Sequence, residues 1–551
     1  MDTEGANRRQ LVGAALWRLG DLTAIDEPRS YRARAYRRGV WALDDLSLGL
    51  DETVEEMQAV RGIGAGITRL IEEMRRTGTI AALELLERRY PAESTRLRQL
   101  PRMTAKQLRL LKEIGIDTAA QLSDAIDSAA VESLRGVGPA TAEYWDRIMA
   151  GWPDALSLPV VSADQLAGVL AAHLRRLLGA TVTVGGEVRR REEWVGVLDL
   201  AMVGREPDTL LKAAAEMAAV TGHSEKPAAD TVILGTHAGL PLRIIAASTE
   251  QAGWALVRST GPARHVAALE GRMGTTQVRT EKEAYQSAGL ELVPPPARDE
   301  EIRKARLVGE DDIIADFHIH TTWSPDGQQE IEEVVRAAAR RGYRCIAITD
   351  HAEGLRLGAL SAEALAEQRR VLEEIELPEG LVVLHGAELN IDRDGSLDYD
   401  DDVLARLEFG VAGIHSNFGL GRDEQTARLI RAIEHPAVRV IAHPTTRRLG
   451  ARPPIDFDIE AVLDAAARTG TALEVNGHLD RLDLSADLAR RAVGAGVAVV
   501  ADSDAHRPDE MGNVANAVAV LQRAGVSPEG VVNAWDLARL LEWATRPMGV
   551  A

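Results

Sequence analysis

The chain has 551 residues, more than one hydrophobic core can serve, so about three or four domains are expected. Its 45% hydrophobic and 27% charged composition is that of an ordinary globular protein, and no stretch approaches the roughly 20 apolar residues of a membrane helix, which excludes an integral helical membrane protein. A net charge of −20 excludes coating nucleic acid with the whole surface, because backbone binding depends on Lys and Arg neutralising phosphates, so any such contact has to be local.

Cys345 is the only cysteine, which rules out an internal disulfide and a thiolate cage and leaves histidine and carboxylate to hold any metal. The apolar run Leu11 to Trp17 stops at Arg18 with no small-residue cleavage site after it. It reads as the core of an amphipathic helix rather than a signal peptide, so the cytoplasm is the expected compartment.

From Asn7 to about Ala150 apolar residues recur at helical spacing, broken at Gly or Pro, which predicts an all-helical region. Arg29, Arg32, Arg34, Arg37 and Arg38 fall together; taken alone, such a run is most simply a solvated face. Gly62-Ile-Gly-Ala-Gly-Ile67 and Gly136-Val-Gly-Pro-Ala-Thr141 each join two helical patterns through a tight hairpin. Gly62, Gly64, Gly136 and Gly138 permit close backbone approach with amides left free, an arrangement that binds phosphate. Both resemble helix-hairpin-helix motifs, which hold DNA backbones without reading sequence. One such turn is usually a plain αα connection, but two beside an arginine cluster favour DNA contact. A third candidate, Leu100-Pro-Arg-Met-Thr-Ala105, lacks the glycines and reads as structural.

Short β-rich runs follow at Ala180–Val184, Leu198–Val203, Thr231–Leu234 and Leu242–Ile245, predicting a small α+β domain. The prolines Pro294 to Pro296 open a charged stretch to Asp312 that reads as an extended linker. After it, strand and helix signals alternate. Strands are expected at Ile313–Ile319, Cys345–Thr349, Leu381–Leu389, Phe409–Ile414, Val438–Ala442, Ala472–Val475 and Val497–Ala501, with helices such as Ile331–Arg341 and Ile459–Thr469 between them. Seven βα units imply a closed or nearly closed parallel barrel, in which function gathers where strands end.

Ligand-type side chains stand at those ends. His318 and His320 end the first strand, with Asp326 in the loop beyond; His351 follows the second, and Glu388 ends the third. His415 ends the fourth, His443 the fifth, and Asp504 with His506 follow the seventh. Two residues apart on extended chain, His318 and His320 face the same way and can grip one ion, as can Asp504 and His506 if their loop stays extended. A lone histidine is more often a satisfied core residue. Nine of the thirteen histidines, however, lie between His318 and His506, six of them at expected strand ends. The ligand set exceeds what one zinc needs, so two or three divalent ions sharing a bridging carboxylate are expected, with Glu388 as the candidate bridge. Zn²⁺ and Mn²⁺ both suit such donors. The cluster suits phosphate-ester hydrolysis, with Arg447, Arg448 and Arg481 as candidates for gripping phosphate oxygens.

Asp316-Phe-His-Ile-His-Thr321, Ser324-Pro-Asp-Gly327, Thr349-Asp-His351, Gly386-Ala-Glu388, His443-Pro444 and Asp502-Ser-Asp-Ala-His506 resemble the successive motifs of the polymerase and histidinol phosphatase (PHP) domain. The resemblance implies a (βα)7 barrel with a trinuclear Zn or Mn site. It implies that His318, His320, Glu388 and Asp504 hold one ion, Glu388, His415 and His443 a second, and Asp326, His351 and His506 the third. Asn417 departs from the usual His-Ser-His run and is assigned to substrate rather than metal.

Order and content extend the resemblance to the whole chain, which is similar to bacterial family X DNA polymerases: helix-hairpin-helix region, nucleotidyltransferase palm, PHP barrel. Tyr31-Arg-Ala-Arg-Ala-Tyr-Arg-Arg38, Ala284-Tyr-Gln-Ser-Ala-Gly-Leu-Glu-Leu-Val-Pro-Pro-Pro296 and Glu474-Val-Asn476 with Arg481-Leu-Asp-Leu484 carry it. The implied division is an N-terminal helical DNA-binding domain at 1–90, a helix-hairpin-helix region at 91–155, a palm at 156–296, a linker at 297–312 and the barrel at 313–551. The palm departs from the pattern. Its phosphate-binding turn, Gly185-Gly-Glu-Val-Arg-Arg-Arg191, keeps Arg190 but has Gly186 where Ser is usual. Val195-Gly-Val-Leu-Asp199 keeps Asp199 but has Val197 at the first metal aspartate, and Pro241 replaces the third carboxylate before Leu242-Arg243. Thr260-Gly-Pro262 and His265-Val266 replace the usual nucleotide-selecting Thr-Gly-Ser and His-Asn. Nucleotidyl transfer needs carboxylates to hold two Mg²⁺ ions, so the palm is expected to be a weak or inactive polymerase.

The expected function is therefore a metal-dependent phosphoesterase on DNA, removing nucleotides from 3′ ends by family resemblance. DNA is bound without sequence preference, and neither a membrane nor an obligate protein partner is expected. The alternatives are an active repair polymerase with an accessory nuclease, a phosphatase of a small phosphomonoester, and a non-catalytic DNA-binding protein with structural ions.

Overall fold

A computed structural model of the protein describes residues 3–546 apart from 47–51, 92–96, 99, 101–102, 135, 151–156, 299–305 and 355–359. The chain forms two compact units, Met1–Leu292 and Val293–Ala551.

The first unit begins with helices that start where a Thr can cap them. Thr53, Thr104 and Thr118 each accept from the amide three residues on, while Glu56, Gln107 and Gln121 reach back to the capping residue. Trp145, Leu108, Leu111 and Leu122 are buried in one core of this region. The two glycine hairpins share a backbone plan. Ile63 N donates to Val60 O, and Val137 N to Leu134 O, at 3.0 and 2.9 Å. Gly62 and Gly136 both have positive φ, 109° and 92°. Ile63 and Val137 are buried, and each hairpin opens a helix, Ala65–Thr77 or Pro139–Ala150. The third candidate hairpin falls partly outside the described residues, at 101–102.

A five-stranded sheet completes this unit, in the order Thr181–Val184, Leu198–Val203, Pro241–Ala247, Thr231–Thr236, Val220–Ala228. The two central strands run parallel and the other pairs antiparallel. The edge strand Val220–Ala228 escapes sequence reading because it is polar and carries Pro227, features an edge tolerates.

The second unit is the barrel. Its strands are β1 (Ala315–Asp316), β2 (Cys345–Ile348), β3 (Val382–Asn390), β4 (Phe409–Gly413), β5 (Val438–Ile441), β6 (Ala472–Asn476) and β7 (Val499–Asp502). Neighbours in sequence are neighbours in the sheet and all pairs are parallel. Phe317 and Phe409 stack at 5.1 Å within its core, and Trp543 stands 5.9 Å from each. Residues 306–312 of the expected linker pack on this unit: Val308 is buried, and its N donates to Val526 O at 3.0 Å.

β1 is shorter than the expected Ile313–Ile319, because side chains take the amides that a ladder would otherwise use. Phe317 N donates to Asp502 Oδ1 at 2.9 Å, Ile319 N to Thr349 Oγ1 at 3.0 Å and Thr321 N to Asp350 Oδ1 at 2.7 Å. The barrel closes through a parallel bridge between Ile319 and Ala505. Below it, buried Asn533 staples the seam. Its Nδ2 donates to Ala315 O, Ala501 O and Asp502 Oδ1 at 3.0, 3.1 and 2.9 Å, and its Oδ1 accepts from Ala501 N at 2.8 Å. Asn533→Leu keeps the volume and strands these partners, at a cost of about 1–3 kcal/mol for each group left unpaired. The expected result is faster amide hydrogen exchange across β1 and β7 than in wild type; unchanged exchange there would show that the seam does not depend on Asn533.

Candidate active site in the barrel

The barrel brings all nine expected ligands to the mouth where its strands end. His318 and His320 lie just past β1, where the side-chain bonds above hold the backbone extended, and both rings are fully buried. Glu388, near the end of β3, is 1% exposed and forms the centre. His318 Nε2 and His320 Nε2 stand 3.4 and 3.5 Å from its Oε2, and 3.6 and 3.4 Å from Asp504 Oδ1. His415 Nε2 and His443 Nε2 lie 2.9 and 3.0 Å from the other oxygen, Oε1. Asp326 completes a third group, 3.6 Å from His351 Nε2 and 3.5 Å from His506 Nε2.

His318 Nε2, His320 Nε2, His351 Nδ1 and Glu388 Oε2 are buried and have no hydrogen-bond partner among the described residues. His351 Nδ1 is nonetheless only 2.8 Å from Glu388 Oε2. Two polar atoms at that distance without hydrogen-bond geometry aim past each other, as ligands around a shared point do. Four sets of three side chains at this mouth have donor atoms close enough to surround one ion: His320, His351 and His506; His318, His443 and Asp504; His318, His320 and Glu388; and His351, Glu388 and His415. The donors are imidazoles and carboxylates only, which fits hard or borderline divalent ions.

Charge is distributed unevenly over the rings. Burial opposes a proton on His318, but Glu474, Asp504 and Glu388 outweigh it and hold its pKa well above the ordinary value. Burial likewise opposes a proton on His351, while Glu388 and Asp326 push it up to about 10. His320 goes the other way, driven down by burial and by the His506 and His351 rings beside it. Burial and Arg481 lower His443 to about 4.

A second layer holds the rings, and sequence reading did not assign it. Glu474 Oε1 is 2.7 Å from His318 Nδ1, and its Oε2 accepts from the His443 amide. Asn476 Nδ2 donates to Asp504 Oδ2 at 3.0 Å. Asp350 takes four bonds, from Thr321 N, Thr321 Oγ1, Ser324 Oγ and Gln368 Nε2. The period of two along β6 was the available signal, since it puts Glu474 and Asn476 on one face. Beneath the rings, Asp316 and Asp502 are fully buried; burial raises the first to about 6, and burial with Asp316 pushes the second far up. Asp504 has φ 53°, so its loop is not extended, yet it reaches the cluster; His443 has φ 30°. Left-handed backbone at two such residues is strain of the kind that collects at working sites.

The arginines divide. Arg481 Nε is 3.4 Å from Asp504 Oδ2, and its Nη1 is buried without a hydrogen-bond partner among the described residues. Arg448 Nε donates to Asp480 Oδ2 at 2.7 Å. Arg447 is turned to backbone, donating to Arg481 O at 3.0 Å and to Leu482 O. Asn417 is exposed at the rim with φ 56°.

In the first unit, Arg29, Arg32, Arg34, Arg37 and Arg38 are all exposed. Arg37 is held by Asp21 at 2.5 Å, and Arg32 by Glu27. A groove of about 920 Å³ includes Tyr31, Arg38, Arg61, Gly62, Gly64 and Arg69 in its wall. Gly136 and Gly138 are exposed in the second hairpin.

In the five-stranded sheet of the first unit, Asp199 lies opposite Arg243 in the parallel pair, and Arg243 Nε is 2.5 Å from its Oδ1. Burial pushes the Asp199 pKa up to about 6, against the pull of Arg243. Gly186 has φ 59°, and a Cβ there would stand 2.1 Å from Asp199 Oδ2, so the missing Ser is tied to where this carboxylate lies. Gly185 is equally tight, with a Cβ meeting Ser259 O at 2.7 Å. Arg190 is buried, with Nη1 on Thr260 O at 2.5 Å. Glu187 Oε2 accepts from Gly196 N and Val197 N at 2.6 and 3.2 Å, at the position where a metal aspartate is absent. Among the described residues, this sheet and its helices hold no set of three side chains able to surround an ion.

The PHP domain family matches residues 316–483, which ends before Asp504 and His506 complete the cluster. A probable phosphatase of Syntrophotalea carbinolica is 32% identical over 230 residues, covering 40% of this chain and 90% of that protein. The probable phosphatase Teth514_1060 of Thermoanaerobacter sp. is 30% identical over 244 residues, covering 42% of this chain and 94% of its own length. These two match a barrel-sized segment. The DNA polymerase/3′-5′ exonuclease PolX of Bacillus subtilis is 30% identical over 542 residues, covering 92% of this chain and 94% of that protein. A match running through both units, with a PHP barrel in the second, places the chain in the PolX family.

Proposed function

We propose that the chain is a metal-dependent phosphoesterase that removes nucleotides from the 3′ ends of DNA, with the helical hairpins and the palm delivering the strand to the barrel. The reading is carried by the buried, unpaired atoms His318 Nε2, His320 Nε2 and Glu388 Oε2 at one mouth. Each costs about 1–3 kcal/mol if left unsatisfied, and a shared cation satisfies them together. His318, His320, Glu388 and Asp504 would hold a first ion; Glu388, His415 and His443 a second; and Asp326, His351 and His506 a third. When bound, zinc or manganese ions supply Lewis-acid activation of water and offset the charge on phosphoryl oxygens. The free Nη1 of Arg481 grips one of those oxygens.

The exposed Arg29, Arg34 and Arg38, together with the amides of the Gly62-Gly64 and Gly136-Gly138 hairpins, bind phosphates. Contacts of that kind carry no base information, so binding is independent of sequence. The division into domains at 1–90, 91–155, 156–296 and 313–551 assigns these roles, and the cytoplasm is where such a substrate is met. The palm is a scaffold. Its lone Asp199 is neutralised by Arg243 and does not hold two ions. A phosphatase of small phosphomonoesters is the competing reading, favoured by the barrel-sized phosphatase relatives.

End-labelled single-stranded and gapped DNA is expected to shorten from the 3′ end with Mn²⁺. Asp504→Ala should lower the rate by about 10²-fold or more, since even outer ligands of metal sites are worth 10–100-fold. Faster turnover of p-nitrophenyl phosphate than of DNA would move the assignment to the phosphatase. Primer extension with Mg²⁺ or Mn²⁺ is expected to give no template-directed product, and robust synthesis would overturn the account of the palm. Ion uptake should release protons, because in the ion-free cluster His351, pushed up to about 10, is charged at neutral pH and has to lose its proton to bind. Calorimetric titration with Mn²⁺ in buffers of different ionisation enthalpy should show that release, with affinity rising from pH 6 to pH 8; pH-independent uptake would contradict it.

A further inference from the structure

The loop after β6 carries a hydrogen-bonded chain that the ligand cluster leaves unused. His478 Nδ1 is 2.7 Å from Asp480 Oδ1, and Asp480 Oδ2 accepts from Arg448 of the loop after β5. The backbone beneath is tied to the cluster. His478 N donates to Asn476 Oδ1 at 3.0 Å, and Asn476 Nδ2 donates to Asp504 Oδ2 at 3.0 Å. Gly477 N donates to Asp502 O at 2.8 Å, and Arg481 of the same turn reaches Asp504. The imidazole is therefore fixed at the rim, two hydrogen bonds from a ligand of the cluster. Its side chain is 33% exposed, and among the described residues only Nδ1 of the ring has a hydrogen-bond partner. With Nδ1 held by a carboxylate, the protonated ring presents Nε2–H outward.

We propose that His478 is the proton donor to the departing 3′ oxygen, with Asp480 and Arg448 as positioning residues; the inference rests on the phosphodiesterase reading above. In the step, a water oxygen bonds to phosphorus as the phosphorus–O3′ bond breaks and its electron pair leaves with O3′. The Nε2 proton of His478 passes to O3′, the proton lost by the water passes to solvent, and solvent later recharges the ring. The hydrogen bond to Asp480 raises the pKa of His478 while burial opposes it; Asp504 adds to the rise and Arg481 counters it. These groups face the ring from its own loop and from the loop after β7, and Arg448 acts on it through Asp480. An alkoxide leaving group needs a proton and a nitrophenolate does not, which separates a donor from a structural residue.

The experiment compares wild type, His478→Gln and Asp480→Asn on single-stranded DNA and on p-nitrophenyl thymidine 5′-phosphate, both with Mn²⁺. His478→Gln is expected to lower kcat on DNA by about 10²-fold at nearly constant KM, and kcat on the nitrophenyl ester by less than about 3-fold. Asp480→Asn should show the same bias in smaller degree. In metal-free protein with ¹³C-labelled histidine, the His478 resonance should titrate above free imidazole and fall in Asp480→Asn. Equal losses on the two substrates, no loss on DNA, or a His478 resonance unmoved by Asp480→Asn would each overturn the proposal. Wild type inactive on both substrates would sink the phosphoesterase reading itself, and this inference with it.

Discussion

A carboxylate sealed inside a barrel is the constraint from which the second unit is organised. Glu388 is 1% exposed, and a charge so far from water is tolerated only when paired and hydrogen-bonded. Burial pushes its pKa up, but His415, His318 and His351 hold it well below the ordinary value. The imidazoles around it thus offset its charge, and a divalent ion at this mouth would compete with protons for the same ring nitrogens, so proton and ion binding there would be coupled.

The barrel seam and the ligands also share one network. Asp502 takes the Phe317 amide and the Asn533 amide group, Asp316 takes the Ser503 amide, and those residues flank His318 and Asp504. β1 gives up ladder bonds to side chains from β7 and from the end of β2. In exchange, the backbone that carries His318 and His320 is tied on both sides. A ligand pair on a short, side-chain-stapled strand is more sharply placed than one on a free loop, and the ions need that placement.

Most of the barrel was legible in the sequence because each strand is a short apolar run and each ligand follows one. Glu388, His415 and His443 could be placed to within two residues of a strand end from that pattern alone. The inner layer was not legible. Glu474, Asn476 and Asp350 look like ordinary polar residues until closure of the sheet brings β6 beside β7, and β2 beside the His318 segment. The arginines were ambiguous for the same reason: Arg447, Arg448 and Arg481 read alike in sequence. They differ because one meets backbone carbonyls, one meets Asp480 and one keeps a buried nitrogen unspent. The edge strand Val220–Ala228 was missed because its partners, rather than its own residues, make it a strand.

The five-stranded sheet of the first unit is organised around another buried carboxylate, Asp199. With Val197 and Pro241 where carboxylates stand in the family pattern, no carboxylate at those positions competes for Arg243, which pairs with Asp199 across the parallel strands. Asp199 then lies over the phosphate turn, where a side chain at position 186 would collide with it, and Gly186 relieves the collision. Glu187 meanwhile caps the amides of Gly196 and Val197. Each departure from the pattern is thus compensated by another, and the sheet keeps its register and its buried face. Restoring one carboxylate would place a second negative charge beside an ion pair that is already satisfied. Acids at both positions would set two further negative charges beside this pair and would require Arg243 to be released and Gly186 replaced, so the sheet as it stands is built around the Asp199–Arg243 pair.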